Sequence, residues 1–276
     1  MHTYYFISSE KLGEGSKIPL AFPGNSDAVF TEMAQEMVTT IECNNAIRKP
    51  TVFICPVGPV GQYPIFVKLV NQERLSLKNC WFFNMDEYLQ DDGSYIPMDS
   101  PLSFRGFMER TVYSQIDPEL VVPPQQRIFP DPADPAKLDR LLLELGGADI
   151  CFGGIGINGH LAFNEASDDL PADEFAQLGT RVLAISRETR TANAIGDLGG
   201  AIDAMPKLCV TIVMAQILSA KKVRLGVFRD WHRAVVRQAA YGEVTAHFPV
   251  SLLQNHPDAL IYVNNNAAIQ PFAETR

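Results

Sequence analysis

Short apolar runs with almost no polar alternation recur along this 276-residue chain, and they constrain its fold more than any other feature. They span Thr3–Ile7, Thr51–Cys55, Cys80–Phe83, Asp149–Phe152, Arg181–Ile185, Cys209–Val213, Val223–Phe228 and Ala259–Val263. Runs rich in Val, Ile, Phe and Cys are expected of strands covered on both faces. Helix signals lie between them. Val29, Met33, Met37 and Ile41 recur every four residues behind Asn25-Ser26-Asp27, which supplies N-cap oxygens. Asp134-Pro135 opens a second helix with a stripe of Leu138, Leu141, Leu142 and Leu145. Asp230 can cap a third, and Gly242 can end it. The alternation predicts an α/β fold, a doubly wound, mostly parallel, Rossmann-like sheet flanked by helices, with residues 1–276 forming a single domain. Loops are expected at Leu89–Ser103, Asp117–Asp134 and Ala166–Thr180. Long loops of this kind are often functional lids, although the proline-rich middle one reads as a connector.

Composition narrows the partners. A net charge of −9 without Lys/Arg runs gives no footprint for nucleic acid or an anionic membrane. Any phosphate would have to be held by local groups. Cys43, Cys55, Cys80, Cys151 and Cys209 are widely spaced and lack Cys/His ligand spacing, so reduced thiols are expected and no metal site is. No signal-peptide pattern opens the chain and no apolar stretch reaches the roughly 20 residues of a membrane span, so a cytoplasmic protein is expected.

Ligands of open α/β sheets bind outside the carboxyl ends of the strands. Three predicted strands end in sequence that suits this edge. One runs into Pro56-Val57-Gly58-Pro59-Val60-Gly61, one into Asn84-Met85-Asp86-Glu87-Tyr88, and one into Gly153-Gly154-Ile155-Gly156-Ile157-Asn158-Gly159-His160. A carboxylate base, a histidine and a second carboxylate are what proton transfer on a sugar needs.

Phe83-Asn84-Met85-Asp86-Glu87-Tyr88, taken with the Gly-rich run that continues through Leu161-Ala162-Phe163-Asn164-Glu165, resembles the signature pair of the glucosamine-6-phosphate deaminase/isomerase family. Weaker similarity runs through Thr189–Asn193, Met205-Pro206-Lys207 and Arg233-Ala234. The resemblance implies an aldose–ketose isomerase/deaminase that converts an amino sugar phosphate to a ketose phosphate and ammonia. Asp86 would shuttle a proton between C2 and C1, and His160 would assist ring opening, with Glu165 as its orienting partner. Asn158, Gly58, Gly61, Glu87, Gly154 and Arg233 are the further residues expected at the site. No metal or organic cofactor is implied, and the partner is a small-molecule sugar substrate. The family includes both monomers and homo-oligomers.

The chain departs from the family pattern at several points. Asn158 stands where the family has Asp. Val57 and Val60 replace hydroxyl residues of the phosphate loop, and Pro59 removes a backbone donor. The family's phosphate-binding Arg aligns with Ile195, and its Lys with Arg233. These departures leave three readings: an enzyme whose substrate differs at its distal end, a sugar or sugar-phosphate binding protein with reduced catalysis, or a 6-phosphogluconolactonase-like hydrolase. The Ala-Phe-Asn-Glu ending favours the first over the last.

Overall fold

A computed structural model describes residues 1–272. A seven-stranded, wholly parallel sheet is built from β1 (Leu20–Gly24), β2 (Thr51–Cys55), β3 (Cys80–Asn84), β5 (Arg127–Ile128), β6 (Ile150–Gly154), β9 (Lys222–Val227) and β10 (Ala259–Asn264). Their order across the sheet is β1-β10-β9-β6-β2-β3-β5. A second, antiparallel sheet joins β4 (Asp86–Leu89), β8 (Leu208–Thr211) and β7 (Arg181–Ala184) in that order. The helices that matter below are α1 (Ser26–Ala46), α2 (Gln62–Glu73), α3 (Phe104–Thr111), α4 (Ala136–Glu144), α5 (Ala172–Phe175), α6 (Arg187–Asp197), α7 (Met214–Leu218) and α8 (His232–Tyr241).

Both faces of the parallel sheet are covered. In β2, Phe53 and Cys55 pack with Met33 and Ile41 of α1 and Phe66 of α2. Val52 and Ile54, on the opposite face, pack with Leu138 and Leu142 of α4 and Val236 of α8. Each fully buried side chain of this size contributes roughly 1.5–3 kcal/mol. That two-sided burial is why the strands read as unbroken apolar runs.

Several expectations are corrected. Thr3–Ile7 is no strand; Thr3–Phe6 is a short 3-10 turn, with the Tyr5 hydroxyl bonded to Gln238. The first strand is instead Leu20–Gly24, a half-exposed sheet edge whose Pro23 obscures the pattern. Arg181–Ala184 and Leu208–Thr211 are strands, but of the antiparallel sheet, where β7 alternates between half-buried and exposed. Asp86–Leu89 is also a strand, separated from β3 by Met85 alone. Asn25 caps α1 as expected, accepting from the Ala28 N–H at 2.9 Å. Asp230 does not cap α8; it accepts from Asn266 Nδ2 at 2.8 Å. The Ala166–Thr180 segment holds α5 and buries Phe175 in the core, and no residue of it lines the main cavity.

The chain leaves β2 outward through β3 and β5, then returns to β6 and proceeds the other way through β9 and β10. Strands β2 and β6 are therefore the switch point, and the crevice above their carboxyl ends is where a ligand is expected. His232, at the start of α8, ties two loops at this edge. Its Nδ1 accepts from the backbone N–H groups of Phe228 (3.0 Å) and Arg229 (2.8 Å). Two donors on Nδ1 put the proton on Nε2, which donates to the Ile155 carbonyl at 2.9 Å. Burial lowers the His232 pKa from 6.5 to about 4.

Because the folded protein favours neutral His232, its contribution to stability is complete above pH 6.5 and declines as pH falls toward 4. The loss amounts to about 3 kcal/mol across that window. Urea unfolding at a series of pH values should show this slope in the wild type and a shallower one in His232→Gln. Equal slopes would refute the assignment.

Candidate active site

The crevice opens into a cavity of about 620 Å³. Gly58, Pro59 and Val60 line it after β2, Asp86 and Tyr88 from β4, Gly154 at the end of β6 with Gly156 and His160 after it, and Asn193 and Asp197 from α6. Of the residues expected from sequence, Asp86, His160, Gly58 and Gly154 face this space; Asn158 and Glu165 stand behind His160.

Asp86 and Glu87 are adjacent on a strand, so their side chains take opposite sides. Asp86 and Tyr88 border the cavity. Asp86 is 7% exposed, and among the described residues no hydrogen bond reaches its carboxylate. Burial, reinforced by the charge of Glu87, pushes its pKa well above the ordinary carboxylate range. Glu87 is wholly buried and turned away. It accepts from the backbone N–H groups of Tyr88, Phe104 and Arg105, from Ser103 Oγ and from Arg105 Nε, at 2.8 to 3.2 Å. Its carboxylate thus anchors the amino end of α3 and does not face the cavity, where the sequence reading expects it.

His160 lies flat over Gly156; a Cβ at 156 would sit 1.9 Å from the ring, so this loop keeps the ring in place only with glycine there. Its Nδ1 is 2.7 Å from Asn158 Oδ1. Asn158 Nδ2 donates to Glu165 Oε2 at 2.7 Å, and the Thr189 hydroxyl donates to the same oxygen at 3.0 Å. Glu165 Oε1 accepts the Ser186 N–H at 3.2 Å. An ionised carboxylate can only accept, so the amide of Asn158 must face Glu165 and its oxygen must face His160. His160 is therefore protonated on Nδ1 when neutral, and among the described residues Nε2 has no partner. Burial lowers the His160 pKa, with the Glu165 charge opposing it in part. The turn carrying this group is pinned by Asn164, whose Nδ2 donates to the carbonyls of Leu161 and Ile212, both at 2.9 Å.

Two further expected residues, Gly61 and Arg233, lie elsewhere. Gly61 is outside the cavity lining and packs against Phe30, whose ring a Cβ would meet at 2.3 Å. Arg233 is also outside it: its Nη2 donates to Asn266 Oδ1 at 2.6 Å and its Nε to the Asn266 carbonyl at 3.1 Å. Ile195 is 68% exposed and borders a neighbouring depression with Ile157 and Trp231. Sequence reasoning missed Thr189, His232 and, above all, Arg229. Arg229 is the one permanent cation among the described residues of the cavity lining. A signal for it existed in the polar stretch Arg229-Asp230 that follows the β9 run. No cluster of three or more His, Cys, Asp or Glu able to hold a metal occurs among the described residues.

No family model matches the chain. Curated relatives do. Glucosamine-6-phosphate deaminase of Parabacteroides distasonis is 31% identical over 228 residues, covering 81% of this chain and 80% of the relative. The Cronobacter sakazakii glucosamine-6-phosphate deaminase is 29% identical over 258 residues, covering 92% and 91%. A solved monomeric glucosamine-6-phosphate deaminase of the NagB superfamily superposes with a TM-score of 0.78 at 26% identity, over 90% of this chain and 98% of that one. A Thermotoga maritima 6-phosphogluconolactonase, at 14% identity and a TM-score of 0.63, covers 89% of this chain and 99% of its own, and shares the fold. By these similarities and the signature residues at its sheet edge, the chain belongs to the glucosamine-6-phosphate deaminase family.

Proposed function

We propose that this cavity isomerises and deaminates an amino sugar phosphate of the glucosamine 6-phosphate type, releasing a ketose phosphate and ammonia, with the whole chain acting as one unit in the cytoplasm. The observation that carries this reading is a buried carboxylate without hydrogen-bond partners among the described residues, Asp86, sharing one cavity with a histidine whose tautomer is set by its neighbours. Family membership supports it independently.

The chemistry follows from those two groups. His160 Nε2 accepts the anomeric hydroxyl proton and returns it to the ring oxygen as the C1–O5 bond breaks, which opens the sugar. Asp86, ionised, removes the proton on C2 and delivers it to C1. The electron pair passes through a C1=C2 enaminol and leaves an imine at C2. Water adds there and ammonia departs, giving the ketone. Desolvation raises the basicity of Asp86 toward what abstraction next to a carbonyl requires. Asn158 holds the His160 ring without adding charge, so the neutral imidazole is favoured down to lower pH than beside a carboxylate.

Asp86→Asn should lower kcat by about 10²–10⁴-fold in an assay of ketose and ammonia release. Unchanged turnover would eliminate Asp86 as the base. In Asn158→Asp the new charge beside Nδ1 stabilises the imidazolium. The acid limb of the kcat/KM profile should then move up by about one pH unit or more. A limb that stays in place would show that Asn158 does not govern His160.

A further inference from the structure

Most polar groups of the cavity lining are already engaged. Asn193 Nδ2 donates to the Tyr88 hydroxyl at 3.0 Å, the Ser103 hydroxyl to Glu87 at 2.9 Å, and both nitrogens of His232 are bonded. The loop from Val57 to Val60 offers no hydroxyl, and Phe30 and Phe228 stack at 4.6 Å alongside it. Arg229 differs. Among the described residues no hydrogen bond or ion pair engages its guanidinium, while its backbone is fixed by His232. The guanidinium rests on Gly196 of α6, where a Cβ would be 2.5 Å from Nη1, so a larger residue at 196 would displace it from this position. Ser26, in the first turn of α1, stands beside the same segment, because Asn264 Nδ2 donates both to Ser26 Oγ (2.9 Å) and to the Phe228 carbonyl (3.3 Å). The Ser26 hydroxyl hydrogen remains available to donate.

We propose that Arg229, with the Ser26 hydroxyl, binds the phosphate end of the substrate and is the specificity-determining residue of this cavity, and that Asp197 weakens this grip. This deepens the functional reading above and rests on it for the identity of the substrate. A planar guanidinium with free donors matches a phosphate bidentately. Asp197 lines the same wall, close enough for Arg229 to influence its ionisation, and so places a negative charge beside the incoming anion. The cavity is thereby built to hold an anion with one cation that is partly offset.

Calorimetric binding of glucosamine 6-phosphate and of glucosamine to the full chain, alongside turnover of both, tests this. Arg229→Ala should weaken glucosamine 6-phosphate binding roughly 10- to 100-fold and leave glucosamine binding unchanged. Arg229→Lys should fall between, because it keeps the charge and loses the fork. Asp197→Asn should tighten the phosphorylated sugar alone. Equal loss for both sugars in Arg229→Ala, or a phosphate-selective loss carried by Arg233→Ala instead, would overturn the assignment. Arg229-dependent binding without any ketose or ammonia would keep Arg229 as the anion contact and reject the enzymatic reading, so the two failures are distinguishable.

Discussion

The parting of β2 from β6 is the constraint on which the rest of the molecule depends. These two strands pair through Phe53–Ile150 and Ile54–Cys151, whereas β6 stays paired with β9 as far as Gly154. Beyond Ile54 the backbone groups of the two strands no longer satisfy each other, and the loops that follow enclose the cavity. Everything chemical in the chain is arranged on this opening. The Gly-rich loop carries His160 above β6, β4 carries Asp86 from the β3 side, and the segment after β9 carries Arg229 and His232. His232 holds the last of these to the first through one imidazole. A cavity assembled from loops that would otherwise move separately acquires a defined shape from that bond.

The interior of the fold could be read from the residues because burial on both faces removes polar alternation from the strands. Reading failed where that burial is incomplete. The edge strand Leu20–Gly24 is half exposed, while the aromatic run near the amino end packs ring against ring as a 3-10 turn. The site divides in the same manner. Asp86, Asn158, His160 and Glu165 were recognisable because they lie close together in two continuous motifs. Glu87 faces away from the cavity because Asp86–Leu89 is a strand, which sends neighbouring side chains to opposite sides. Arg233 lies outside the cavity lining because α8 begins at His232. One residue of helix rotates a side chain by about 100°, and position 233 turns toward Asn266. Arg229 and His232 emerge from packing between loops distant in sequence, which no local pattern announces.

The replacement of Asp by Asn at position 158 reads as a loss when only His160 is considered, and differently once its other partner is visible. An ionised Asp at that position could not donate to Glu165, and the two carboxylates would repel each other across that separation. Asn donates in one direction and accepts in the other, so Glu165 and His160 Nδ1 are linked through one neutral amide. The arrangement exchanges some stabilisation of an imidazolium for a defined tautomer.

Glu165 has a wider consequence. The same carboxylate that receives Asn158 also receives Thr189 and the backbone of Ser186, the residue that caps α6. The helix bearing Asn193, Gly196 and Asp197 is therefore bolted to the loop bearing His160. Evolution cannot readily retune one without disturbing the other. A drift in side-chain size along α6 would be transmitted to His160, and tolerated changes at positions 158, 165 and 189 would have to arise as a correlated set.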